Sequence, residues 1–186
     1  MATPWPIETQ KAFDTYVKNG GGFVSVHAAN NSFPEWEAYI KMIGLGGSNR
    51  TEKDGLYIYY DNLGIRVINT SKGAAGTYGE KHRFPITIQN MGYPITKDML
   101  KVGMTGIDEY YAKLRGLVEN ITVLATGKYL SENALTGGQE TVLMIIEYGK
   151  GRVFHNALGY DIDSFENVGF IVFFLGGDSN ERLLVG

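Results

Sequence analysis

The sequence predicts one α/β domain with antiparallel additions, and three observations predict it. Helix-like segments with one apolar stripe occur among strand-like ones. The stretch "FVSVHAA" (residues 23–29) is a short apolar run with β-branched residues, the pattern of a strand covered on both faces. Two further stretches alternate, turn and alternate again, which is the pattern of a hairpin. A chain of 186 residues is long enough to bury ~70% of its unfolded surface in one core.

Taken in order, residues 7–19 form a helix with Ala12, Phe13, Tyr16 and Val17 on one face, and Gly20–Gly22 stop it. The strand at 23–29 follows. Pro34 opens a second helix whose stripe is Trp36, Tyr39, Ile40 and Ile43. "LYIYYDNLGIRVINT" is the first hairpin, turning at "DNLG". "SKGAAGTYGEKH" is a glycine-rich loop of a length that is usually mobile or functional. "FPITIQ" and "NITVLAT" are strands, and "TVLMIIEYGKGRVFHNALG" is a second hairpin pivoting on "YGKG". A last helix, "DSFENVGFIVFFLGG", begins with Asp163 as cap and Glu166 three residues on, and ends at Gly176.

Composition excludes several classes. A net charge of -3 and a pI near 5.6 lack the basic footprint of a nucleic-acid binder. No apolar run approaches ~18 residues, so no membrane-spanning helix is expected. There are no cysteines, which removes disulfides, thiolate metal sites and a cysteine nucleophile together. The start, "MATPWPIE", has no signal-peptide pattern; the chain as it stands reads as cytoplasmic, with the compartment left open.

The ordered motifs resemble those of the ThuA-like (trehalose utilisation) domain family. "YVKNGGGFVSVHAA" is similar to the family's helix, glycine triplet and strand ending in His-Ala-Ala. "YPITKDM" resembles its His-Pro-Ile-Thr segment, and "DEYYAKLRGLVENITVLAT" its Asp-Glu-Leu-Tyr element with the following strand. "EYGKGRVFHNALGYD" resembles the hairpin that closes in Gly-His-Asp. The resemblance implies a flavodoxin-like fold akin to the class I glutamine amidotransferases, with helices on both faces of the sheet. It also implies a strand–helix–strand region ahead of the first helix, so residues 1–186 read as a single N-terminally truncated domain. A sheet without those strands is expected to complete itself with another copy, as a homodimer or higher homo-oligomer. The implied function is carbohydrate catabolism: hydrolysis, elimination or isomerisation of trehalose or a related or oxidised disaccharide. A non-catalytic sugar-binding or assembly module on the same fold is the alternative.

His27 is the first candidate for chemistry. In amidotransferase-like folds the turn after this strand is the nucleophile elbow, and α/β ligand sites open at strand carboxyl ends. An imidazole there suits a general base, because its pKa of ~6.5 lies near neutrality. The plainer alternative is a core histidine satisfied by backbone. Glu109, in "GIDEYY", is the acid or base partner by resemblance; Asp108 beside it points to the opposite face if the segment is extended. Substrate contacts are expected from His82, Tyr110, Tyr160, Asp161 and Trp36, with aromatic faces from Tyr57, Tyr59, Tyr60 and Tyr78 as further possibilities. His155 reads as a packing residue. Tyr93 and Tyr160 stand where the family has histidines, and a tyrosine of pKa ~10 is a poor base at neutral pH, which would deplete the site. No spacing of the His-Glu-x-x-His kind occurs, and neither a metal nor a cofactor is assigned. "GAAGTYG" lacks the Gly-Lys-Ser/Thr of a phosphate loop.

Overall fold

In the computed structural model, residues 4–47, 55–117, 120–130 and 138–171 are described. Helix α1 (Ile7–Lys18) leads through the glycines into strand β1 (Gly22–Val26), and a 3-10 turn (His27–Asn31) leads on to α2 (Glu37–Ile43). Short β2 (Leu45–Gly46) precedes the first hairpin, β3 (Leu56–Tyr60) and β4 (Arg66–Asn69). Then come β5 (Thr77–Tyr78), β6 (Pro85–Ile88), β7 (Val102–Met104), β8 (Tyr111–Ala112) and β9 (Arg115–Gly116). The long strands β10 (Ile121–Lys128), β11 (Gln139–Tyr148) and β12 (Gly151–Asn156) form the centre, and α3 (Ile162–Phe165) follows.

Both expected hairpins are present. Asp61 makes the first turn, its carboxylate accepting the N–H groups of Leu63 and Ile65 at 2.9 Å each. The second pairs Tyr148 with Gly151, and Gly149 supplies the left-handed φ of 62° that so short a turn demands. The second helix starts later than Pro34 suggests, at Glu37, because residues 34–36 are used in a turn. The last helix differs more. Its cap is Asp161, not Asp163, and it breaks after Phe165 before turning helical again over 168–171. The expected end at Gly176 lies outside the described residues.

The class is α/β and the fold flavodoxin-like, with antiparallel pairing making up most of the sheet. Strands β6, β10, β11, β12 and β1 lie side by side, and β12–β1 is the one parallel pair among the described residues. The centre is covered on both faces. From β11, Met144 and Ile146 join Trp36, Tyr39 and Ile43 in one core, while Leu143 and Ile145 join Phe84, Tyr110 and Phe170 in the other. This two-sided burial explains why β11 reads as a continuous apolar run.

Candidate active site

The carboxyl ends of the parallel pair define the site. Val26 pairs with Asn156, and just beyond them the chain delivers His27 from β1 and residues 157–161 from β12. His27 has φ 45°, a left-handed conformation that is rare for a side chain this bulky. Such a residue costs of order 1–3 kcal/mol and persists only where the surroundings dictate it. Strand, strained residue and tight helical turn together make a sharp elbow that aims the imidazole away from the sheet end.

What surrounds that ring is aromatic and acidic rather than aliphatic. Its Nε2 lies 3.4 Å from Glu109 Oε2, and the Tyr111 hydroxyl is 3.5 Å from Nδ1. The Tyr111 ring lies over the imidazole at 4.4 Å and 30°, and Tyr160 meets it edge-on at 5.6 Å. Although the Glu109 contact is within ion-pair distance, Nε2 lacks a hydrogen bond of proper geometry, so its proton capacity is unspent. His27 is 6% exposed.

Burial moves the two titrating groups toward one another. It pushes the His27 imidazole below its ordinary value of 6.5, and the charge of Asp108 pulls it only partly back. It pushes the Glu109 carboxyl above its ordinary 4.5; a hydrogen bond from Tyr111 opposes that rise and Asp108 adds to it. Near neutrality the imidazole is therefore neutral, and the two groups' proton affinities lie closer together than in free side chains. Tyr111, raised well above a normal phenol chiefly by burial and then by Glu109, stays protonated as a donor.

Asp108 holds this arrangement together. It is 2% exposed, and its carboxylate accepts the N–H groups of Glu109 (2.8 Å), Tyr160 (3.0 Å) and Gly159 (2.9 Å). The loop after β12 is thus tied to the segment carrying Glu109. At the rim, Lys81 pairs with Asp161 at 2.7 Å and lies over the Tyr160 ring at 4.8 Å.

Of the residues expected at the site, His27, Glu109 and Tyr160 come together, with Asp161 at the edge. Tyr110 does not join them. It is fully buried in the opposite core and donates to the Gly127 carbonyl at 2.8 Å. Its neighbour Tyr111 occupies the place instead, because alternate residues of an extended segment share a face, a rule that selects Tyr111 once it is applied from Glu109. Trp36 is also corrected: it is packed in an aromatic cluster with Trp5, Phe13, Phe33 and Tyr39. The His82 backbone bridges Asp108, but its ring packs on Tyr129 and Phe84 rather than on His27. His155 is buried, with Nδ1 2.8 Å from the Ile43 carbonyl. Tyr93 packs against the second core, beside Ile95 and Phe84, and burial raises its phenol. Among the described residues no cluster of three or more His, Asp or Glu is placed to hold a metal.

The architecture is thus a flavodoxin-like α/β sheet that carries a buried histidine–glutamate pair at its strand ends. The ThuA family model, described as trehalose utilisation, matches residues 2–178, and the chain belongs to that family. A ThuA-like protein of Parabacteroides merdae is 32% identical, with a TM-score of 0.90 over 100% of this chain and 68% of that one. A ThuA-like protein of Bacteroides uniformis, at 15% identity, shares the fold with a TM-score of 0.64 over 95% of this chain and 64% of its own length. The chain thus spans about two thirds of the length of these relatives. No curated protein matches the sequence.

Proposed function

We propose that the protein performs acid–base chemistry on trehalose or a related or oxidised disaccharide, with His27 as base and Glu109 as acid. Family membership supports the carbohydrate-related role. The observation that carries the chemistry is the 3.4 Å approach of a neutral, unspent imidazole nitrogen to a carboxyl of raised pKa. A two-carboxylate glycosidase arrangement is disfavoured, since Asp108 is committed to three backbone N–H groups and Asp161 to Lys81. Proton abstraction beside a sugar carbonyl, leading to elimination or isomerisation, suits a single base and a single acid better. Tyr160, 48% exposed and edge-on to His27, is the cover that must shift to admit substrate.

The test is a pH–rate profile with trehalose and its keto derivatives, read by NMR. The base is lost as pH falls through the lowered His27 pKa, and the acid is lost as pH rises through the raised Glu109 pKa, so the profile is a bell whose limbs belong to the pair. Glu109→Gln removes the alkaline limb and lowers kcat by ~10²-fold or more. An unchanged bell in that variant would remove Glu109 from the chemistry. A second reading, a sugar-binding module without turnover, is favoured by the burial of His27 Nε2. Sugar affinity with no conversion at any pH would select it.

The partners proposed are a small carbohydrate and a second copy of the chain. Among the described residues β1 pairs only with β12, and its apolar Phe23, Val24 and Val26 are half-buried, an unusual state for a strand in a parallel pair. Such an edge is a template for another strand. Light scattering is expected to give a dimer or larger, and a well-folded monomer at micromolar concentration would refute this.

A further inference from the structure

Beside the acid–base pair lies a second feature. A cavity of about 160 Å³ is lined by Asn31, Gly47, Gly76, Thr77, Tyr78 and Tyr111, among others. A cavity of roughly 150 Å³ is large enough for one six-membered ring. Tyr111 joins the two features, since it lines this cavity while its hydroxyl lies 3.5 Å from His27 Nδ1.

The walls are built rather than accidental. The glycine-rich loop is laid along the segment that carries Glu109 and Tyr111: β5 pairs with β8, Gly76 N–H donates to the Lys113 carbonyl at 3.0 Å, and Gly79 N–H donates to the Tyr110 carbonyl at 3.2 Å. On the other side, Asn31 ends the turn that starts at His27, and its Oδ1 is buried without a hydrogen-bond partner. A buried amide oxygen left unpaired is unfavourable, and a ligand hydroxyl would satisfy it. The space also depends on Gly47, where a Cβ would stand 2.7 Å from Asn31 Oδ1 and 3.3 Å from the Gly76 Cα. A pocket whose walls mix apolar Ala75 and Leu114 with the polar groups of Asn31, Thr77 and the tyrosines suits one sugar ring, which has hydroxyls at its edge and C–H groups on its faces.

We infer that this cavity is the subsite for the non-reacting sugar ring of the substrate, with Asn31 as the residue that selects it by accepting a hydroxyl hydrogen bond. This rests on the proposed acid–base reading for where the reacting ring lies, next to Tyr111, but binding in the cavity is measurable without turnover. The Asn31 amide has to rock toward the opening to present its Oδ1 to that hydroxyl.

The experiment titrates the full chain with trehalose and, separately, with D-glucose, following backbone amides by NMR. Shifts are expected at Gly47, Gly76 and Thr77 with both probes. Asn31→Ala is expected to weaken trehalose binding about three- to tenfold, the range of one neutral hydrogen bond. Asn31→Asp, which keeps an acceptor, restores most of it. In turnover, Asn31→Ala raises KM by the same factor with kcat and the pH profile retained, a split that a purely structural role would not produce. Amide shifts absent from the cavity with both sugars, or an Asn31→Ala affinity equal to wild type, overturn the inference. Cavity binding without turnover would sustain the inference and sink the catalytic reading. Turnover that needs His27 but is indifferent to Asn31 would do the reverse.

Discussion

His27→Gln is expected to abolish turnover of the sugar substrate, by about 10²–10⁴-fold in kcat, while leaving the chain folded. The variant keeps a polar side chain of similar length at the elbow but cannot take up a proton. A second readout follows from the same residue. Because burial holds the folded-state pKa of His27 below its ordinary 6.5, the folded protein binds fewer protons than the unfolded chain in the interval between the two values. The stability this contributes is fully present above pH 6.5 and is lost as pH falls through the lowered value. Wild type should therefore lose stability in mild acid, and His27→Gln should lose that part of the slope. Urea midpoints across pH 5–7.5 measure it. Retained turnover in His27→Gln would dismiss the imidazole as base, and an identical acid slope would show that its proton is not what the fold resists.

Asp108→Ala is expected to destabilise the protein by about 3 kcal/mol, since it takes the acceptor from three part-buried N–H groups, each at the low end of about 1–3 kcal/mol. For a chain of this size that is a fall of about 6–12 °C in Tm. Asp108→Asn is milder, because one oxygen remains to accept. It removes the negative charge that helps raise Glu109, so the alkaline limb of the pH–rate bell moves to lower pH. That displacement separates a positioning role from a merely structural one. A loss below ~1 kcal/mol in Asp108→Ala would show that the loop after β12 is held by something else.

Much of this arrangement is legible in the chain. Strand β1, the helix before it and the two hairpins follow from periodicity and turn residues, because those signals act over a few residues. The elbow position of His27 follows from the same strand plus the family likeness. Periodicity also held the means to separate Tyr110 from Tyr111, since Glu109 and its second neighbour must share a face in an extended segment. The break in the last helix was less visible: Asn167 hydrogen-bonds the Phe170 N–H and starts a new turn, interrupting an apolar pattern that looks continuous.

Local pattern and motif order are enough to read the class of fold, the family and the placing of an imidazole at a strand's carboxyl end. Which partners meet that imidazole is fixed by the folded arrangement. Asp108 lies 81 positions from His27 in the chain, and Tyr160 lies 52 beyond Asp108. Their convergence is set by the pairing of β1 with β12 and by a buried carboxylate gathering distant N–H groups. Side-chain period reports which face a residue takes, whereas burial and charge at a site depend on contacts between segments far apart in the chain, and no local pattern encodes those.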